Sequence, residues 1–101
     1  MAESEVVRAC REYLLLRGHF VVRINGGAFR TERGGFMRCT DTNGTPDFMG
    51  VTLDGRPLAV EAKSGKGRMS ESQKAFREAW VKRCGIFVVA RNIEDLQEAG
   101  L

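Results

Sequence analysis

Leu58-Ala59-Val60-Glu61-Ala62-Lys63, preceded by Gly44-Thr45-Pro46-Asp47, is the stretch that decides how this 101-residue chain folds. Strand side chains alternate with a period of two, so Glu61 and Lys63 share one face while Val60 and Ala62 take the other. A lysine is a costly choice for a buried strand. If the segment from Asp47 forms the neighbouring strand, two carboxylates and one ammonium converge. Carboxylates held close repel each other and persist only when a proton or a cation relieves them. A divalent metal is the usual relief, with the lysine left over for catalysis. The pattern points to metal-dependent phosphodiester hydrolysis.

Outward from that stretch, the chain reads as alternating helices and strands. Ser4 is the expected N-cap of a first helix whose apolar arc holds Val6, Ala9, Cys10, Tyr13, Leu14 and Leu16, with Gly18 ending it. Phe20–Ile24 reads as a strand closed by Asn25-Gly26-Gly27. Residues 25–45 are rich in glycine, arginine and polar side chains, with a hairpin expected through Ala28–Arg30 and Phe36–Arg38. A loop this long in a small domain is usually functional or mobile. Asp47–Val51 and Leu58–Lys63 are predicted strands joined by a turn at Asp54-Gly55-Arg56-Pro57.

Past the glycine-rich loop Ser64–Arg68, Ser70-Glu71-Ser72-Gln73 matches a capping box for a second helix. Ala75, Phe76, Ala79 and Trp80 give that helix an apolar stripe, and Gly85 follows its end. Ile86–Ala90 is a continuous apolar run, as expected of a strand buried on both faces. Asn92 begins a short final helix. The order is α-β-(β)-β-β-α-β-α. Strand, helix and strand around residues 70–84 make a right-handed crossover, so part of the sheet is parallel. The expected fold is α/β, a mixed sheet flanked by helices, over a single domain spanning residues 1–101.

Composition bounds the function. At 43% hydrophobic and 29% charged residues the chain is ordinary for a globular protein. No apolar run is long enough to cross a bilayer. The acidic start Met-Ala-Glu-Ser-Glu is no secretory signal, so a cytoplasmic protein, bacterial or in a phage-infected host, is expected. A chain this short has a thin core that dimerisation would help. The three cysteines (Cys10, Cys39 and Cys84) form no C-x-x-C pair and are read as reduced. With the single His19 they lack zinc-ligand spacing. A thiol nucleophile partnered by His19 stays open, although nothing in the sequence brings the two together.

Net charge is only +3, but it is unevenly spread. Segments 21–45 and 61–84 carry net +2 and +4, and they flank the acidic stretch. Basic rims around a carboxylate pocket suit a polyanion. For Lys74, Arg77, Lys82 and Arg83 a solvated helix face explains the charge equally well.

Gly44-Thr45-Pro46-Asp47, then Glu61-Ala62-Lys63, then Gln73 at a helix start form an ordered set. It resembles the PD-(D/E)xK nuclease superfamily. The G-x-P-D form, the compact size and the S-x-x-Q helix start are most similar to its VRR-NUC branch, the virus-type replication-repair nucleases. The likeness runs from Glu5 to the strand ending near Ala90 and implies a restriction-endonuclease-like core. It implies that Asp47, Glu61 and the Ala62 backbone carbonyl hold Mg²⁺ or Mn²⁺, an all-oxygen set suited to hard cations. Lys63 then positions or deprotonates the attacking water, and Gln73 reaches the active site from the second helix. Glu5 is the candidate for the first-helix glutamate that approaches the metal in this family, and equally a residue favoured there by the helix dipole.

For DNA, Arg23, Asn25, Gly26, Gly27, Arg30, Arg33 and Arg38 on one side, with Ser64, Lys66 and Arg68 on the other, are the candidate contacts. Glycine amides approach phosphates closely because no side chain intervenes. Recognition of DNA shape rather than sequence is expected. Stand-alone relatives are typical of phages and prophages, and similar ones look like homodimers that cut four-way (Holliday) junctions with paired nicks. The function expected is a metal-dependent, structure-selective DNA endonuclease. A flap, nick or general duplex endonuclease, a DNA-binding module without catalysis, and a phosphatase-like acidic pocket are the competing readings.

Overall fold

Alternation along one central strand decides which residues enter the core and which are left for chemistry. The computed structural model describes residues 2–24 and 44–101 in full, with the backbone alone of Ala28–Arg30 and Phe36–Arg38. The elements are α1 (Glu3–Leu16), β1 (Phe20–Arg23), β2 (Ala28–Arg30), β3 (Phe36–Arg38), β4 (Phe48–Val51), β5 (Pro57–Ala62), α2 (Glu71–Lys82), β6 (Ile86–Ala90) and α3 (Ile93–Glu98). Strands β1, β4, β5 and β6 form a mixed sheet in that order, flanked by helices, which is the α/β architecture expected. Strands β2 and β3 pair separately as the antiparallel hairpin read from the sequence.

Strand β4 pairs antiparallel with both β1 and β5, while β5 and β6 run parallel, joined by α2. Gly50 lets β1 come close, since a Cβ there would lie 1.9 Å from the Phe20 carbonyl oxygen. Leu58, Val60 and Ala62 of β5 share a core with Val6, Val7, Cys10 and Leu14 of α1 and Leu96 of α3. Phe48, Leu58, Leu14 and Leu96 are fully buried, each contributing about 1.5–3 kcal/mol by leaving water. The opposite face of β5 carries Ala59 and Glu61, and on that side α2 packs against β6. Phe76 stacks on Trp80 at 5.9 Å and meets Phe87 at 6.4 Å, and the Trp80 Nε1 donates to the Ile86 carbonyl at 2.9 Å.

Some expectations need correction. Helix α1 begins two residues early, with Ala2 rather than Ser4 at its N-cap, because Glu5 closes the first turn onto the Ala2 N–H. Leu16 lies at the end of the helix and is 87% exposed, outside the arc assigned to it. In α2 Gln73, Phe76 and Trp80 are half-buried, while Ala75 and Ala79 face solvent, because the helix lies over an edge strand. For the same reason β6 is not buried on both faces: Val88 and Ala90 enter the core, and Ile86, Phe87 and Val89 are half-covered. Among the described residues no helix is long and apolar enough to cross a membrane.

Candidate active site

Asp47 is fixed from two sides before β4 begins. Its backbone carbonyl accepts from the Ile24 N–H at 3.0 Å, and its carboxylate Oδ2 accepts from the Ala62 N–H at 2.8 Å. The first bond ties it to the end of β1, the second to the end of β5. Pro46 upstream is fully buried and has no N–H to satisfy. The preceding Gly44 has φ +80°, and a Cβ there would fall 2.2 Å from the Ser72 carbonyl oxygen. Only glycine lets this turn lie against the start of α2.

Glu61 is the second acid, and it is 2% exposed. The Lys63 Nζ lies 3.7 Å from its Oε1, with both side chains largely buried. Its other oxygen, Oε2, is buried and has no hydrogen-bond partner among the described residues. An unsatisfied buried carboxylate oxygen is expensive, and native proteins keep one mainly where a ligand completes it. Burial pushes the Glu61 carboxyl up from 4.5 to about 8, and the neighbouring Asp47 charge pushes the same way. The Lys63 ammonium opposes them, while Glu3 adds a smaller repulsion. The predicted trio of Asp47, Glu61 and Lys63 therefore does come together, with the acid pair wanting positive charge.

Glu3 is a residue that the sequence reading passed over. It is exposed at the first position of α1, three and four positions before the buried Val6 and Val7 and so on their side of the helix, and its charge acts on Glu61. That spacing was the signal available in the sequence. Glu5 instead turns back on its own helix, its Oε1 accepting from the Ala2 N–H at 3.3 Å. Gln73 completes the expected capping box: its N–H donates to the Ser70 Oγ at 3.2 Å and its Oε1 accepts from the Ser70 N–H at 2.9 Å. Through Gly44, the backbone at Ser72 and Gln73 touches the turn that leads to Asp47.

Of the proposed DNA contacts, Arg23 is exposed at the end of β1, beside the Ile24–Asp47 bond. Ser64, Lys66 and Arg68 follow Lys63 in a loop tightened by the Gly67 N–H donating to the Ser64 carbonyl at 2.7 Å. Asn25, Gly26, Gly27 and Arg33 lie outside the described residues, as do Cys39 and the side chains of Arg30 and Arg38.

Among the described residues nothing supports the thiol alternative. The His19 Nδ1 accepts from the Leu53 N–H at 2.9 Å and its Nε2 faces the Leu101 carbonyl at 3.3 Å, with no cysteine among these partners. Cys10 is buried, and desolvation, helped by Asp47 and Asp95, pushes its thiol up to about 11. Among the described residues no group of three His, Cys, Asp or Glu side chains gathers as a metal cage. A cation here would rely on two carboxylates plus backbone and solvent oxygens. The orphaned Glu61 Oε2 beside Asp47 fits such a hard-cation, oxygen-only set.

No family model matches the chain, and no curated protein sequence matches it either. Among solved structures it is similar to one described as a VRR_NUC domain, with a TM-score of 0.69 and 18% sequence identity, over 95% of this chain and 90% of that one. Its fold is that of the VRR_NUC domain.

Proposed function

We propose that this chain is a VRR_NUC-type nuclease of the PD-(D/E)xK class, an Mg²⁺- or Mn²⁺-dependent endonuclease acting on structured DNA. The observation that carries the reading is the buried, unpartnered Glu61 Oε2 held beside Asp47, with the Lys63 ammonium 3.7 Å from the other Glu61 oxygen. Asp47, Glu61 and the Ala62 carbonyl would hold the ion. When bound, the ion supplies Lewis-acid polarisation of the phosphodiester and acidifies water.

The remaining chemistry belongs to the side chains. The Ala62 N–H occupies Oδ2 of Asp47 and so holds that carboxylate in one orientation. Lys63 carries the only cation paired with this acid cluster among the described residues. It aligns the attacking water and offsets the charge that builds on the phosphate oxygens. With its carboxyl pushed up to about 8, Glu61 would give up a proton in order to hold a cation.

A four-way-junction substrate would be served by a self-associating chain. Phe20, Val22 and Val51, on neighbouring strands β1 and β4, are 68%, 47% and 44% exposed, an apolar strip suited to a second copy. A two-fold dimer presents two equivalent sites to two equivalent strands. The test sets junction, flap and linear duplex DNA side by side with Mn²⁺ at equal salt. Paired, symmetric nicks in the junction, cut faster than the other two, are expected. Equal cutting of all three ends the junction reading, and cutting of none ends the nuclease reading.

A further inference from the structure

We propose that the basic cavity bounded by Arg68, Lys74, Arg77 and Arg91 is a seat for a backbone phosphate of the nucleic-acid strand, beside the phosphodiester at the acidic site. The inference rests on the nuclease reading and extends it to substrate positioning. The cavity measures about 490 Å³, ample for a phosphate and part of its sugar. Val89 and Met69 supply apolar wall, and the four cations face a single carboxylate, Asp95.

That carboxylate is already engaged, its Oδ2 accepting from the Arg91 N–H at 2.8 Å. Among the described residues the ion pairs are Lys63–Glu61 and Lys74–Glu71, so Arg68, Arg77 and Arg91 have no carboxylate partner. Unpaired arginines converging on one hollow repel one another, and an anion relieves them. A guanidinium fork matches the oxygens of a phosphate better than an ammonium does.

Position decides what kind of anion. Val89 is the lateral partner of Glu61 across the β5–β6 ladder, and Arg91, just past the end of β6, lines the cavity beside it. Lys63 stands just past the end of β5, and its N–H donates to the Ala90 carbonyl at 3.0 Å. The cavity therefore opens on the face that carries Glu61 and Lys63, one strand away, or about 4.8 Å across the ladder. The Arg91 Nη1 donates to the Gly65 carbonyl at 2.8 Å, which fastens the loop after Lys63 to the cavity rim. A strand whose phosphate lies over Lys63 has its next phosphates passing here. Lys74 and Arg77, which a solvated helix face would explain from sequence alone, line this cavity, whereas Lys82 and Arg83 further along the chain do not.

The experiment measures binding in EDTA, so that it reads the seat without hydrolysis. Labelled duplexes carry one neutral methylphosphonate linkage, moved position by position, and are titrated with the wild-type protein, Arg77→Gln and Lys82→Gln. Among the described residues the Arg77 side chain makes one hydrogen-bond contact, 3.6 Å to the Met69 sulfur, so its replacement spares the fold. Arg77→Gln should weaken binding about threefold or more and reduce the slope of log K against log salt by about one. One linkage should weaken wild-type binding and leave Arg77→Gln unaffected, while Lys82→Gln behaves as wild type. Equal losses in Arg77→Gln and Lys82→Gln, or no linkage singled out by Arg77, overturn the seat. Wild-type cleavage in Mn²⁺, followed separately, tests the nuclease reading, so the two failures are told apart.

Discussion

The Asp47 carboxylate takes the Ala62 N–H at 2.8 Å, so the acid that precedes β4 is keyed into the strand that ends in Glu61 and Ala62. That bond converts a sequence gap into one site. Asp47→Asn keeps an acceptor for the Ala62 N–H but removes the charge, whereas Asp47→Ala leaves the donor buried and unpaired. Asp47→Ala should lose about 1–3 kcal/mol of stability and Asp47→Asn much less. Both should lose metal-dependent cleavage. Denaturant unfolding together with a plasmid-nicking assay separates the structural effect from the chemical one.

Glu61 gives the metal-free protein a defined pH response. Its folded pKa, about 8, lies above the ordinary 4.5, so between those values the native state holds a proton that the unfolded chain releases. Its contribution is complete below about pH 4.5 and is lost as pH rises through 8. Thermal unfolding in EDTA should show wild-type stability falling across that window. Glu61→Gln should flatten the fall and melt higher than wild type at pH 8.5. Each kcal/mol is worth about 4–8 °C in a domain of this size. Parallel pH profiles for the two proteins contradict the assignment.

Much of the fold was readable because its signals were local. The capping box at Ser70–Gln73, the alternation through Leu58–Ala62 and the hairpin at Ala28–Arg30 and Phe36–Arg38 each lie within a few residues. The joining of Asp47 with Glu61 and Lys63 was legible for the same reason, since a two-stranded hairpin connects them. What failed depended on the whole sheet. Nothing near Ile86–Ala90 reveals that β6 is an edge strand, and that fact leaves the α2 alanines in solvent. The choice between Glu3 and Glu5 hung on a helix start two residues earlier than Ser4 suggests. The cavity at Arg77 and Arg91 needs the β5–β6 register, which no spacing rule supplies.

The two glutamates of α1 make separable predictions. Glu3→Gln removes a repulsion felt by Glu61, so the Glu61 carboxyl should titrate lower, and Mn²⁺ affinity should change with it. Glu5→Gln should cost only a few tenths of a kcal/mol at the helix start, because glutamine preserves the return bond to Ala2. Following the Glu61 side-chain carboxyl by NMR across pH in both variants checks this. A shift with Glu5→Gln and none with Glu3→Gln restores Glu5 as the acid facing the site.

Lys63 should matter to rate more than to binding. Lys63→Met keeps the aliphatic stem packed but removes the ammonium 3.7 Å from Glu61, so the Glu61 carboxyl should rise further. Cleavage at saturating DNA should fall by roughly 10²–10⁴, the range for a lost acid–base group. DNA affinity in EDTA should change little by comparison. A single-turnover assay beside a binding titration separates the two effects.

Calorimetric titration of Mn²⁺ at pH 7, in buffers of different ionisation enthalpy, probes the acid pair most directly. Wild type should bind the ion and release about one proton, because Glu61 surrenders the proton it holds with a pKa of about 8. Asp47→Asn and Glu61→Gln should show neither uptake nor release at the same concentrations. Mn²⁺ uptake that survives both substitutions, or its absence in the wild type, contradicts a metal centre built on Asp47 and Glu61.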